Sequence, residues 1–381
     1  MGKSDSLKGP LKTMASDPQI QGASKKHHVV PRAYLKGFAT KDDSNLIWLY
    51  RKGWPYKPGT SNTSNPQLTS VRQAGWLQEF YSFDKADGTR DFDSVEKAMN
   101  DKFEGRGHYI LELLKNYGGL TYKSRKPFRL SPRQKAVLAS YIILMLRRTP
   151  RAKERSKHLW KNPPPGSEFA KGKDALLGLR SYLIGNPALR DHPLDACIVA
   201  FQNHLLSTDA PDSRAKIAVL AHIRHAIRGH AVVDGNYWVS ETERIARGEV
   251  PDEMRVKGIV EHGQFGKWIR RMHWVYLIAP PGCNFFTCDH PVFMTENIGL
   301  VHTDGEFTFP ISSSLALYGT WHTDVHEGYT VASAAILGEI NKRTIANATN
   351  WVFCCYESPT VANLVSNPRR EGPTIYHLLM N

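Results

Sequence analysis

The segment from Ser131 to Lys161, SPRQKAVLASYIILMLRRTPRAKERSKHLWK, constrains the fold more than any other. Ser131 is an N-cap residue type, and Pro132 suits the first helical position, where its missing N–H has no partner to lose. Positions 136 to 146, AVLASYIILML, are apolar on almost every side. A helix with no polar face has to be enclosed by the rest of the chain, so this one is expected at the centre of the protein. The run is too short to span a bilayer, and arginine flanks its C-terminal side. Pro150 follows Arg147, Arg148 and Thr149 and is expected to bend or end the helix.

Other segments supply the material around it. NLIWLYRKG (45 to 53) reads as a strand closed by Gly53. DFDSVEKAMNDKFEGRGHYILELLKNYGG (91 to 119) reads as a helix, with Asp93 as N-cap, Glu96 in a capping-box position, and Gly118–Gly119 as its stop. KNPPPGSEF (161 to 169) is the linker candidate, followed by helical stretches near 172 to 183, 193 to 207 and 212 to 230. From 267 the pattern becomes β-rich, and Pro-Pro-Gly within KWIRRMHWVYLIAPPGCNFFTCDHPVFM suggests a hairpin. EFTFPISSSLALYGT continues in strand style, and ASAAILGEINKRTIANATNWVFCCYES reads as a long helix running into a buried strand.

The expected class is therefore α+β and helix-rich, with the buried helix packed on a mainly antiparallel sheet formed largely by the C-terminal third. Residues 1–23 read as a disordered arm. Residues 24–160 hold the buried helix, 161–266 a helical segment, and 267–381 a β-rich part packed with 24–160 as one unit.

Hydrophobic residues make up 41% of the 381-residue chain and charged residues 23%, the balance of a soluble globular protein. Formal net charge is +14, which favours an anionic partner, nucleic acid first. The cysteines, Cys197, Cys283, Cys288, Cys354 and Cys355, are odd in number and contain no Cys-x-x-Cys pair. That is neither a disulfide framework nor a zinc-ribbon spacing, and it suits a reducing compartment. Residues 1–23 lack the apolar run of a secretory signal, so a cytoplasmic location with no membrane association is expected. No Walker loop, Rossmann fingerprint or nucleophile elbow occurs, which argues against nucleotide-driven chemistry.

The candidate chemistry begins at SKKHHVVPRAYLKGFA, where His27 and His28 point in different directions, so one can face a site while the other orients or packs. The stretch also resembles the start of an HNH nuclease, with Asn45 as a base-orienting residue. No histidine occurs between residues 29 and 107, so that pattern lacks its third ligand unless Asn62 or Asn65 replaces it. Asp289 ends the apolar run NFFTC and precedes Pro291, a place for either a metal or substrate ligand or an Asx-turn. Glu96 and Glu104, eight residues apart, would lie about 80° apart on a regular helix and could offer carboxylates to a metal. Arg147 and Arg148 either complement a helix dipole or bind phosphate.

Several blocks occur in a telling order: HHVVPRAYLKGFA, RRTP, FFTCDHPV, FPIS and INKRTIANATNWVFC. Together they resemble the bacterial domain-of-unknown-function family 4238, which opens with His-His/Tyr-x-x-Pro-x-x-Tyr-Leu-x-x-Phe and later carries Thr-Ser-Asp-x-Pro. The pattern falls on His27, His28, Pro31, Tyr34, Leu35 and Phe38, then on Arg147, Thr149 and Pro150. It continues on Thr287, Asp289 and Pro291, on Pro310 and Ser312, and on Asn341. The chain departs from it at Cys288, where Ser is usual, and His290, where Asn is usual. The resemblance implies membership without an established reaction.

The residues themselves support two expectations. One is a metal-dependent nuclease or phosphodiesterase acting on DNA or RNA, as a toxin or phage-defence effector. His28 would be its general base, and His27 and Asp289 would be ligands of a divalent metal or orienting groups, with Glu96 as a further ligand. Arg147 would hold phosphate, and Lys26, Arg148, Thr149, Ser312 and Asn341 would contact substrate. The other is a non-catalytic nucleic-acid-binding or interaction protein in which His27, Asp289 and Arg147 form a buried polar network that fixes the fold.

Overall fold

The computed structural model describes residues 26–57, 65–84, 89–124, 129–163, 165–208, 212–227, 234–236, 238–240, 265–295, 302–368 and 374–380. The expected arm at 1–23 lies outside them, as do residues 241–264 of the helical segment and Asn62. Helix accounts for 51% and strand for 19% of the described residues, so the class is α+β with helix predominating.

Before the central helix come α1 (Arg32–Leu35), α2 (Ser94–Met99) and α3 (Gly105–Ser124), with a π-helical turn, Asn100–Glu104, joining α2 to α3. The central helix is α4 (Pro132–Arg147). Its start is the reciprocal capping box that satisfies two orphan donors: Ser131 Oγ accepts from Gln134 N, and Gln134 Oε1 accepts from Ser131 N. Leu138, Ala139 and Tyr141 to Met145 are buried. The helix ends at Arg147. Thr149 then caps α5 (Pro150–Lys161), its hydroxyl accepting from Ala152 N. Pro150 cannot extend α4, but it opens α5 well.

The β elements before α4 are short: β1 (Lys26–His28), β2 (Leu46–Arg51), β3 (Gln67–Ser70), β4 (Trp76–Gln78), β5 (Phe83–Asp84) and β6 (Arg90–Asp91). Those after it are β7 (His273–Ile278), β8 (Thr287–Cys288), β9 (Phe293–Met294), β10 (Glu306–Ser312), β11 (Leu315–Thr320), β12 (Gly328–Val331) and β13 (Trp351–Cys354). A five-stranded sheet runs β12-β7-β11-β10-β9, antiparallel except for the parallel β12–β7 pair. A four-stranded sheet runs β3-β2-β13-β8.

The hairpin expected across Pro-Pro-Gly does not form. β7 is already flanked by β11 and β12, so no edge remains for the next strand in the chain. Cys283 N closes the turn on Pro280 O, and Phe285 N then donates to Ser313 O. The chain crosses to the other sheet, where β8 pairs with β13.

Alternation along the strands places the core. Trp274, Tyr276, Leu315 and Leu317 join the cluster that contains α4, while Val275, Leu277, Ala316 and Tyr318 join a second cluster with Ile336 and Ile340 of helix Ala334–Asn347. The five-stranded sheet is thus covered on both faces, and every residue of β10 and β11 is buried. The α4 cluster unites residues between Val29 and Met145 with residues between Ile269 and Phe353. A separate cluster, from Ala175 to Trp238, lies within α6 (Glu168–Gly185), α7 (Leu194–Thr208), α8 (Ser213–Ile227) and the segment after them.

Two helix signals read differently in place. Gly118 and Gly119 do not end α3, which runs to Ser124. A Cβ at Gly118 would sit 3.2 Å from Tyr329 Cε1, so this glycine serves close packing. Gly107 does the same against α4, where a Cβ would lie 2.2 Å from Tyr141 Cδ2. Because Tyr141 is fully enclosed, Gly107→Ala is expected to cost about 1–3 kcal/mol by overpacking. Chemical denaturation measures it, and an unchanged midpoint would show that the α3–α4 contact yields freely.

Candidate functional site

β1 pairs with β4 in antiparallel register, and its alternation sets the two histidines apart. Lys26 is exposed, its ammonium 4.5 Å above the Trp76 ring. His27 is fully buried and stacks on Tyr81 with centroids 5.4 Å apart. Its Nδ1 accepts from Tyr81 N at 2.9 Å, which places the proton of the neutral ring on Nε2. That Nε2 has no partner among the described residues. His28 is partly exposed. Its backbone N donates to Glu96 Oε1 at 3.3 Å, its Nε2 lies 3.2 Å from Arg72 O, and its Nδ1 lies 3.9 Å from Glu96 Oε1. Burial lowers the His28 pKa, against the Arg72 carbonyl and the Glu96 carboxylate, which raise it.

Glu96 is therefore not the capping-box residue expected. Asp93 makes no side-chain cap; Asp91 Oδ1 accepts from Asp93 N and Ser94 N instead. Asn45 and Asn65 also turn to local duties. Asn45 is exposed beside a turn, its N donating to Asp43 Oδ1, and Asn65 is buried, bonding to Arg51 and Trp54 backbone atoms.

Arg148, rather than Arg147, is the arginine at the centre of this region. Arg147 is half-buried at the end of α4, while Arg148 is fully enclosed. Its guanidinium donates to Glu104 and to the carbonyl of His28, and its own carbonyl accepts from the Tyr81 hydroxyl at 2.8 Å. Glu104 is the last residue of the π turn, whose wider winding rotates the face that the next residues present. An arginine whose fork already holds a carboxylate and a carbonyl is a structural clamp.

The next residue faces the other block. Thr149 Oγ1 shares a hydrogen bond with His290 Nδ1. His290 O and Val292 O both accept from Asn347 Nδ2, at 2.6 and 2.9 Å, and Asn347 Oδ1 accepts from Arg151 at 2.9 Å. Burial, then the positive charges of Arg151 and Arg155, push the His290 pKa down to about 3. Consecutive residues thus join the opening motif, through Arg148, to the Asp-His-Pro block, through Thr149.

Asp289 is wholly buried and forms no Asx-turn at its proline. Oδ1 accepts from Thr349 N at 2.8 Å, and Oδ2 accepts from Asn350 N at 2.7 Å. Its own N donates to Trp351 O at 3.1 Å. Burial raises its pKa to about 6 although these backbone donors pull the other way. A third tie runs from Tyr34, whose hydroxyl lies 2.7 Å from Thr287 Oγ1 and donates to Pro310 O at 2.6 Å. Asn341 holds the segment before Thr287, accepting from Phe286 N and donating to Asn284 O, both at 2.9 Å. Ser312 Oγ accepts from Ser314 N at 3.3 Å and so shapes the β10–β11 turn.

Both Asp289 oxygens accept backbone N–H groups, and Glu96 lies beside His28. Among the described residues no three His, Cys, Asp or Glu side chains gather as a metal-ligand group. Sequence reasoning missed Tyr81, and it offered Glu104 to a metal where the structure pairs it with Arg148. Tyr34 carried a signal, because it stood in the opening motif.

The fold and this region define a helix-rich α+β protein in which Tyr34, Arg148, Thr149, Asp289 and His290 are buried and hydrogen-bonded. The chain belongs to the family described as Protein of unknown function (DUF4238), whose model matches residues 26–176 and 241–358. Comparison with curated proteins gives no match, and comparison with solved structures gives none. No described helix is long and apolar enough to cross a membrane.

Proposed function

We propose that this protein is a cytoplasmic nucleic-acid-binding protein in which the family's motif residues fix the fold and do not catalyse. One observation carries the reading: Asp289, Arg148, Thr149 and His290 are buried and engaged inside the protein, Arg148 with Glu104 and the His28 carbonyl, Thr149 with His290, and Asp289 with the Thr349 and Asn350 amides. The net charge of +14 supplies the attraction for an anionic polymer. Helix α5, PRAKERSKHLWK, carries five Lys or Arg against one Glu, and its Arg155 and Lys161 are exposed. The free cysteines suit a reducing compartment.

Fluorescence anisotropy with a generic duplex and a generic single strand tests this. Binding is expected at low salt, with log K falling linearly in log salt. Replacing Arg155 and Lys161 together by Gln is expected to reduce that slope by about two, roughly one per lost phosphate contact. No binding at low salt would overturn the reading. The nuclease reading retains one supporting observation, the partly exposed His28–Glu96 pair beside Arg148.

A further inference from the structure

A cleft of about 460 Å³ lies away from this network, with Lys41, Trp48, Asn284, Cys355, Tyr356 and Glu357 among its lining residues. Cys355 follows β13 and keeps 7% of its surface exposed. Two residues of the family pattern support the walls without entering the cleft. Asn341 holds Asn284 and Phe286, and Ser312 shapes the turn whose Ser313 side chain bonds the Cys355 thiol.

We infer that Cys355 is the reactive thiol of a small-molecule site that takes low-molecular-weight disulfides of the amino-acid type, carrying both a carboxylate and an ammonium group. Three observations converge on it. The cleft gives a small molecule room beside Cys355, which lines it. Its walls carry both signs of charge, Lys41 for a carboxylate and Asp42 and Glu357 for an ammonium, with Trp48 and Tyr356 as apolar surface. The thiol is also prepared for attack. Cys354, kept protonated by burial, is the largest influence on it, and with Lys41 and Ser313 it brings the Cys355 pKa down to about 7 against the effect of burial.

The step is a thiol–disulfide exchange. The Cys355 thiolate attacks one sulfur of the ligand, forming a protein–ligand S–S bond as the ligand's own S–S bond breaks. The departing thiolate leaves with the electron pair of that bond and takes a proton from solvent. Cys355 is oxidised, the leaving sulfur is reduced, and the ligand is the only oxidant required.

The test is mass-spectrometric mapping of the native full-length chain after incubation with glutathione disulfide, beside alkylation by iodoacetamide across a pH series. The expected result is a mixed disulfide on Cys355, with an alkylation midpoint for Cys355 near pH 7. Cys283, the exposed cysteine, is the internal reference, and Cys283→Ser should leave the Cys355 reaction intact. Lys41→Met should move the Cys355 midpoint upward and slow its reaction with glutathione disulfide more than with the neutral alkylating agent. Label on Cys283 alone, reaction of Cys355 only after unfolding, or a midpoint at the ordinary thiol value of about 8.5 would each overturn the inference.

Discussion

Arg148→Met should lower the stability of the protein by about 3–5 kcal/mol, the range for breaking one partner out of a buried ion pair. The side chain is fully enclosed, and its guanidinium holds the Glu104 carboxylate and the His28 carbonyl together. Methionine fills much of the volume but donates nothing. The His28 carbonyl then loses the bond from the guanidinium, and Glu104, 21% exposed, loses the counter-charge of Arg148. Adding Glu104→Gln to Arg148→Met should recover part of the loss, because it removes that stranded charge. Urea unfolding of the wild type and the three variants forms a double-mutant cycle. Additive single effects would mean that the two residues do not act as a pair.

Asp289→Ala should be comparably severe, with a pH dependence of known sign. The two carboxylate oxygens each accept a different backbone N–H, from Thr349 and from Asn350. Without them both donors are left unsatisfied in the interior, at about 1–3 kcal/mol each. Asp289 has a folded pKa of about 6, raised from 3.8. The fold therefore favours its protonated form. Its contribution to stability is fully present below the unfolded value and is lost as pH rises through about 6. Wild type minus variant should thus be largest near pH 4 and shrink by up to about 3 kcal/mol toward pH 7, since one pKa unit is about 1.36 kcal/mol. His290, with its pKa depressed to about 3, has the opposite slope: its contribution is present above 6.5 and lost as pH falls toward 3. It is common to both proteins and cancels in the difference. Thermal or urea unfolding at pH 4, 5, 6 and 7 checks this, and a difference growing with pH would reverse the assignment.

The parts of the fold written in local pattern were readable from the sequence. Ser131, Pro132 and an apolar run gave α4 its start and its central place, and Pro150 gave its end. The strand character of the β10 and β11 stretch and the helix before β13 were also read correctly, but the pairing of β10 with β11 was not. Pairing over long distances was not readable. Pro-Pro-Gly resembles a local turn, while the partner that claims Thr287–Cys288 lies at Val352–Phe353. Glu104 was placed by counting regular helical turns, and the π turn at Asn100–Glu104 breaks that count. The partners of Asp289 are backbone amides, which no side-chain pattern announces. The order of the motif blocks signalled the family alone; that they meet, through Arg148, Thr149 and Tyr34, comes from the structure.

The central claim is that this network builds the fold and performs no chemistry. The most direct measurement is cleavage of single- and double-stranded DNA and RNA, with magnesium or manganese supplied, by wild type and His28→Ala side by side. The account predicts salt-sensitive binding by both proteins and no cleavage that depends on His28. Divalent-metal-dependent cleavage by the wild type, abolished in a His28→Ala protein whose melting temperature is unchanged, would contradict it.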